Sequence, residues 1–416
     1  MWSRSGSYLG AVPDDEPVTC CASLTGAPPL RCVGYWPDAV NQVVAVSPLV
    51  YMYWVRVGSD RVAVEYRWPT TLRGPTRPPK LVYLDLNHWI GLAKALAGHA
   101  DGEAYREGLE HCMALVEDGQ AVFPISDAIY TEVSKISRYR QRRHIREAIE
   151  TLSRFVVVTS RPVIATHEVE NLLDEVVGPN PLPINTMDYL DWGVARAFGM
   201  VGGFRVRNGD HQDVTDAMRA MWSGGPDAFD ALFAAAEFDL NRSVLDGPSP
   251  DEEPQLRALG WDPTGTIAVT ENRARQELEQ VDRFNADPRW RAGRIRDVVA
   301  AREVLIEINE MLHRGLSERS ATLDDVLGPP ERTREILDSL PSFDVAVTLK
   351  TAYHRDPNHR WTINDIHDID ALGSTLPYCD VVITDRAVAA HAIATGLTKR
   401  LGTVVLGRLA DLPAHI

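Results

Sequence analysis

Few cysteines, no long apolar run, no nucleotide-binding loop and a deficit of positive charge each remove a class of protein from consideration. The five cysteines (Cys20, Cys21, Cys32, Cys112 and Cys379) include no C-x-x-C pair. An odd count in a long chain argues against a disulfide framework, and the expected compartment is a reducing cytoplasm. No apolar run approaches the roughly 20 residues that cross a membrane. The best stretch, Pro48 to Val57, is short and reads as a strand. The first residues (MWSRSG) do not have the charged-then-apolar pattern of an export leader. Neither G-x-x-x-x-G-K-[ST] nor G-x-G-x-x-G occurs, which excludes both common phosphate-cradling loops. Lys and Arg number 43 against 58 Asp and Glu, a net charge of −15. Such a chain does not coat nucleic acid with its whole surface, although a local basic patch is still allowed.

What is present is a globular composition, 44% apolar and 24% charged over 416 residues. That length suits two or three domains, or one domain with a large insertion. Residues 1–45 are rich in Gly, Pro and Ser and are expected to be loop. VSPLVYMYWVRV and RVAVEYRW then flank Gly-Ser-Asp, the pattern of a β-hairpin, and the Pro-rich GPTRPPK closes this small unit at residue 78. From 79 to 177 strand and helix patterns alternate. LVYL (81–84) is a buried strand, helices follow at 88–98 and 103–118, and AVFPI (121–125) is a second strand. Ser126 then opens a helix with an apolar stripe of Ile129, Val133 and Ile136, and FVVV (155–158) is a further strand. Residues 178–345 read as mostly helical, interrupted by the breaker segments GPNPLPIN (178–185) and 247–265. The clearest helix there, between Arg291 and Arg314, carries Ile295, Val298, Leu305, Ile308 and Leu312 on one side. The α/β pattern returns from 346 to 416 with a helix near 365–376, a strand at Val381–Thr384 and a last strand at Thr403–Leu406. The expected fold class is therefore α/β. A parallel-sheet core is split by a long helical insertion and preceded by a small β-rich extension.

The acids of the two α/β blocks fall at telling places. Asp85 follows the first strand and Asp385 follows the Val381–Thr384 strand, the ends at which open parallel sheets bind ligands. Glu132 lies about 60° from Ile129 around its helix, at the border of the apolar stripe. Asp368 lies one turn into the last long helix. Four clustered carboxylates could not all stay charged without a cation, and hard oxygen ligands suit Mg²⁺ or Mn²⁺. A cation so held activates water and screens a phosphate, which makes phosphodiester hydrolysis the expected chemistry.

VYLDLNHW with Asp85, ISDAIYTE with Ser126 and Glu132, and the D-x7-L that leads to VITD, with Asp368 and Asp385, resemble the PIN-domain ribonucleases. The resemblance covers roughly 81–140 and 361–407 and departs from the compact family pattern in the long insertion between them. It implies a PIN-like core and a metal-dependent endoribonuclease in which Asp85, Glu132, Asp368 and Asp385 bind Mg²⁺ or Mn²⁺. The implied substrate is RNA, with DNA not excluded. Toxin–antitoxin or phage-defence biology is implied too, with an antitoxin or other protein partner, and compact members often pair with themselves. The alternative is a PIN-like module that binds RNA or protein without cutting. An aspartyl phosphatase of the haloacid dehalogenase type would want a second Asp where Asn87 stands.

Geometry ranks the remaining candidates. Thr362-x-x-Asp365 fits a capping box, so Asp365 is a capping acid or an extra ligand. Asp380 begins the strand that Asp385 ends, about 16 Å away, and cannot share its metal. Asn87 is expected to support Asp85 or to cap a helix starting at His88, and Ser126 to cap its helix. Lys135, Arg138, Arg140, Arg142, Arg143 and Arg146 read as one basic helical stretch, with Lys135, Arg138, Arg142 and Arg143 as RNA phosphate contacts. His354, His359 and His367 carry no zinc motif.

Overall fold

The computed structural model describes residues 42–47, 52–57, 60–65, 79–178, 189–200, 204–260, 265–291 and 293–416. The chain is α/β. The N-terminal unit is an antiparallel sheet of β1 (Gln42–Ser47), β2 (Met52–Val57) and β3 (Asp60–Glu65) in that order. Three strands stand where the sequence suggested two, because QVVAVS, assigned mostly to loop, is rich enough in β-branched residues to pair with β2. The loop expected at 1–41 and most of the Pro-rich connector lie outside the described residues.

The central sheet is parallel throughout, as the strand–helix alternation predicts. It contains β4 (Lys80–Leu84), β5 (Ala121–Val122), β8 (Val381–Ile383) and β9 (Val404–Leu406), in the order β5-β4-β8-β9. Leu81 to Leu84 are all buried, the continuous apolar run of a strand covered on both faces. From β4 the chain passes through α1 (Leu86–Leu96) and α2 (Arg106–Glu117) to β5 on one side. It returns much later to β8 on the other side. The gap between the ends of β4 and β8 is thus the point where strand order reverses, the usual ligand crevice of an open α/β sheet.

After β5 come α3 (Asp127–Ser134), α4 (Tyr139–Leu152), β6 (Val156–Val158) and α5 (Arg161–Val176). The FVVV strand meets the parallel sheet at a single parallel bridge just beyond β5, from Val157 to Ile125. β6 pairs antiparallel with β7 (Leu190–Trp192). Most of GPNPLPIN lies outside the described residues.

The described part of 178–345 is mostly helical, but it is not a separate layer. Phe238, Leu245 and Ala274 belong to the same apolar cluster as Leu84 and Val382, and a second cluster joins Val169 and Leu173 of α5 to Phe284, Val299 and Leu316. One helix runs unbroken from Pro341 to Arg355, across the 345/346 boundary expected from the sequence. The Arg291–Arg314 stripe holds for Ile295, Ile308 and Leu312 and fails at Leu305, which is 68% exposed. A π-helical turn at Val304–Ile308 adds residues per turn and swings Leu305 outward.

Candidate acidic site at the sheet switch point

Side chains alternate along β4, so Tyr83 and Asp85 share a face while Val82 and Leu84 point away. Asp85 leaves the strand as the N-cap of α1 and accepts from Leu86 N at 2.6 Å, and its own N–H donates to Ile383 O of β8 at 2.9 Å. That bond ties the two strand ends together. Asp385 caps the Arg386–Ala394 helix in the same manner, accepting from Ala387 N at 2.7 Å and Val388 N at 3.0 Å. Beneath both, His88 bridges the elements. One ring nitrogen, Nε2, lies 3.3 Å from Thr384 O, and the other, Nδ1, lies 3.3 Å from the Tyr105 hydroxyl.

Between the strand ends is a small recess lined by Tyr83, Asp85, Glu132, His367, Asp368, Ala371, Leu372 and Thr384. It has room for an ion and little more. Glu132 arrives from α3 at the border of its buried stripe. Asp368 arrives from the Ile363–Thr375 helix, where His367 and Ala371, and Asp368 and Leu372, are four residues apart and face the same way. The recess therefore gathers three of the four acids singled out from the sequence, and Asp385 stands at its edge. Asp385 is still close enough for its charge to act on Asp85 and Asp368.

The electrostatics are those of crowded, half-buried anions. Burial, then the nearby Asp385 carboxylate, lifts Asp85 to about 6 against the stabilising bond from Leu86 N. Burial and then Asp85 lift Glu132 to about 7, while Lys135 opposes the shift. Asp368 is pushed up to about 8, by burial first and then by Asp85, Glu132, Asp385 and Asp365. Each of these carboxylates would be relieved by a cation among them, and their oxygens are the donors that Mg²⁺ or Mn²⁺ prefers. Among the described residues, no three His, Cys, Asp or Glu side chains stand as a finished ligand set. The acids share a recess and a field, and not an assembled shell.

Several sequence assignments are sharpened or corrected. Asp365 does form the capping box, accepting from Thr362 N at 2.6 Å and Thr362 Oγ1 at 2.8 Å, and it does not line the recess. Its carboxyl is held below the usual range by His359 and Thr362 despite burial, so as an extra ligand it is already engaged. Asp380 sits at the far end of the sheet, accepting from Lys80 Nζ at 2.6 Å and Leu81 N at 2.9 Å. Asn87 is exposed and hydrogen-bonds Asp85, but it is not a cap, because α1 begins two residues earlier than expected, at Leu86. Ser126 occupies the N-cap position of α3 without making the cap bond. Its hydroxyl is buried against the Tyr83 hydroxyl at 3.0 Å.

The basic run is broken, since α3 ends at Ser134 and α4 starts at Tyr139. Arg142 is buried, with its guanidinium spent on three backbone carbonyls: Ile136 O at 2.6 Å, Asp246 O at 2.6 Å and Pro248 O at 2.8 Å. It is a structural strut, which corrects its assignment to RNA. Arg146 pairs with Glu150 and Asp246, at 2.9 and 3.2 Å. Arg138, Arg140 and Arg143 remain exposed. Lys135 turns toward the recess, where its ammonium lies 2.5 Å from His367 Nε2. Burial, and then the positive Lys135, lower His367 to about 4, so its neutral ring can accept from that ammonium.

Sequence reasoning missed Tyr83, Thr384 and His367 as lining. Tyr83 was findable from strand alternation two residues before Asp85. The three histidines weighed for zinc go separate ways: His354 faces Glu277 at 2.9 Å, His359 stacks on Tyr353 and His367 meets Lys135. No described helix is long and apolar enough to cross a membrane. No family model, curated protein or solved structure matches the chain.

Proposed function

We propose that the chain is a metal-dependent endoribonuclease with a PIN-like core. The observation that carries this reading is the meeting of Asp85, Glu132 and Asp368, from three distant parts of the sequence, in one recess at the sheet's switch point. Asp85, Glu132 and Asp368 would hold Mg²⁺ or Mn²⁺, with Asp385 contributing charge from the edge. Such an ion lowers the pKa of a water and screens charge on the scissile phosphate.

The chain's own residues supply the rest. Asn87 and Leu86 N hold the Asp85 carboxylate by hydrogen bonds that favour its charged form. His88 fixes the Thr384 carbonyl and so the end of β8. Lys135, oriented by His367, places a positive charge beside Glu132, where a phosphate oxygen would come to rest. The exposed Arg138, Arg140 and Arg143 continue that positive path for the RNA backbone. A toxin or phage-defence effector is the biological setting that the family resemblance suggests.

The test is incubation of the full chain with RNA and DNA panels in Mn²⁺, Mg²⁺ or EDTA, beside the Asp85→Asn variant. RNA cut by wild type in Mn²⁺ and left intact by the folded variant supports the reading. RNA bound but uncut would favour a binding module instead. Cleavage unchanged by Asp85→Asn would remove the site assignment.

A further inference from the structure

The helix that presents Asp368 is gripped from its other side. Asp370 lies two residues further along the Ile363–Thr375 helix, about 200° around the axis from Asp368. Arg273, on the Gly265–Ala286 helix of the inserted region, forks onto it, with Nη2 at 2.9 Å from Oδ1 and Nη1 on Oδ2. Arg161 of α5 adds a bond from Nη1 at 3.1 Å.

These contacts open a longer network. Arg161 Nη2 reaches Glu303 at 3.0 Å, and Glu303 also accepts from Lys350. Lys350 reaches Glu277 at 2.9 Å, and Glu277 accepts from Arg302 at 2.7 Å. Arg273 further contacts Glu307 at 3.2 Å. Glu277, Glu303, Glu307 and Asp370 thus balance Arg161, Arg273, Arg302 and Lys350. Glu303 is 1% exposed and Lys350 3%.

Burying so many ions is a poor route to stability, since well-packed apolar residues do as well or better. A matched network does fix geometry, because a shift of one helix leaves a charge without its partner. The inserted region supplies Arg273, Glu277, Arg302, Glu303 and Glu307, Lys350 lies on the Pro341–Arg355 helix that crosses its end, and Asp370 lies on the helix after that. The field of Arg273 and Asp370 also reaches His367 on the recess wall.

We propose that Arg273 is a positioning residue for the acidic site: its fork onto Asp370 sets the rotation of the Ile363–Thr375 helix so that His367 and Asp368 face Asp85 and Glu132. The inserted region is then a part of the site, supporting it from behind. This rests on the reading that the recess binds a divalent cation.

The experiment measures Mn²⁺ affinity by titration calorimetry on the full chain, at a temperature where circular dichroism shows each protein folded. Wild type is compared with Arg273→Lys, Arg273→Gln, Asp370→Asn and Glu307→Gln. Arg273→Gln and Asp370→Asn are expected to weaken Mn²⁺ binding at least tenfold, and Arg273→Lys, which keeps the charge without the fork, by less. Glu307→Gln touches Arg273 but not the Asp368 helix, and should lower the melting temperature with affinity within twofold of wild type. Should Arg273→Gln and Asp370→Asn fail to fold, Arg273→Lys decides, with a threefold or greater loss expected. Variants that melt earlier yet bind Mn²⁺ like wild type would show the network to be simple glue and overturn the proposal. Absence of Mn²⁺ binding by wild type would overturn the cation reading itself, and the proposal with it.

Discussion

The ammonium of Lys135 and the imidazole of His367 meet at 2.5 Å although 232 residues separate them. One closes α3 just after Glu132 and the other immediately precedes Asp368. The pair therefore joins the two helices that bring acids to the recess. Removing the charge with Lys135→Met should raise KM for RNA about tenfold and flatten its salt dependence, with a smaller change in kcat. Steady-state kinetics at two ionic strengths checks this, and an unchanged KM would remove Lys135 from the substrate path.

The raised carboxyl pKa values give stability a definite slope with pH. Asp85, Glu132 and Asp368 bind protons more tightly when folded, at about 6, 7 and 8 against ordinary values of 3.8, 4.5 and 3.8. Their contribution is fully present below about pH 4 and is lost as pH climbs toward 8, because ionisation is easier in the unfolded chain. Thermal melts without metal should fall over that range. Mn²⁺, which binds the ionised acids, should raise the melting temperature more at pH 8 than at pH 5.5. Equal shifts at both pH values would mean that the ion binds elsewhere.

Asp368→Asn separates stability from activity. In metal-free buffer at pH 8 the variant should be more stable than wild type, by on the order of 1–2 kcal/mol, since it deletes the most crowded anion. Cleavage should drop by a hundredfold or more. Urea unfolding beside a nuclease assay reads both effects, and a destabilised variant at pH 8 would contradict the electrostatic account.

Arg142 and Arg143 are adjacent in sequence and should behave in opposite ways. Arg142→Ala leaves the carbonyls of Ile136, Asp246 and Pro248 without their donor and should cost about 2–4 kcal/mol. Arg143 is exposed beside Glu147 at 3.7 Å, and Arg143→Ala should change stability by less than about 0.5 kcal/mol. RNA affinity should respond to the second substitution and not to the first when both are measured on folded protein.

Asp380 tests the choice among the acids. It serves Lys80 and Leu81 N at the opposite end of the sheet. Asp380→Asn should leave cleavage within about twofold of wild type and reduce stability by about 1 kcal/mol or less, the range for a half-exposed pair. A large loss of activity would mean that the recess is not where the chemistry occurs.

The sequence by itself determined the periodic features and those that lie close together along the chain. Apolar runs placed β4, β8 and β9, the strand–helix alternation made their sheet parallel, and the five-residue separation of Asp380 from Asp385 ranked one above the other. Thr362-x-x-Asp365 gave its capping box in the same way, because a cap bond closes within one turn. Only the tertiary structure decided what depends on partners far away in the chain. It turned Ser126 from a cap to a partner of Tyr83, made Arg142 a strut for the distant carbonyls of Asp246 and Pro248 as well as the nearby one of Ile136, and rotated Leu305 outward through a π turn. It also brought Asp85, Glu132 and Asp368 into one recess, which no local pattern contains. Local spacing fixes the direction of a side chain on its own element, whereas burial, charge neighbours and hydrogen-bond partners are set by where the elements pack.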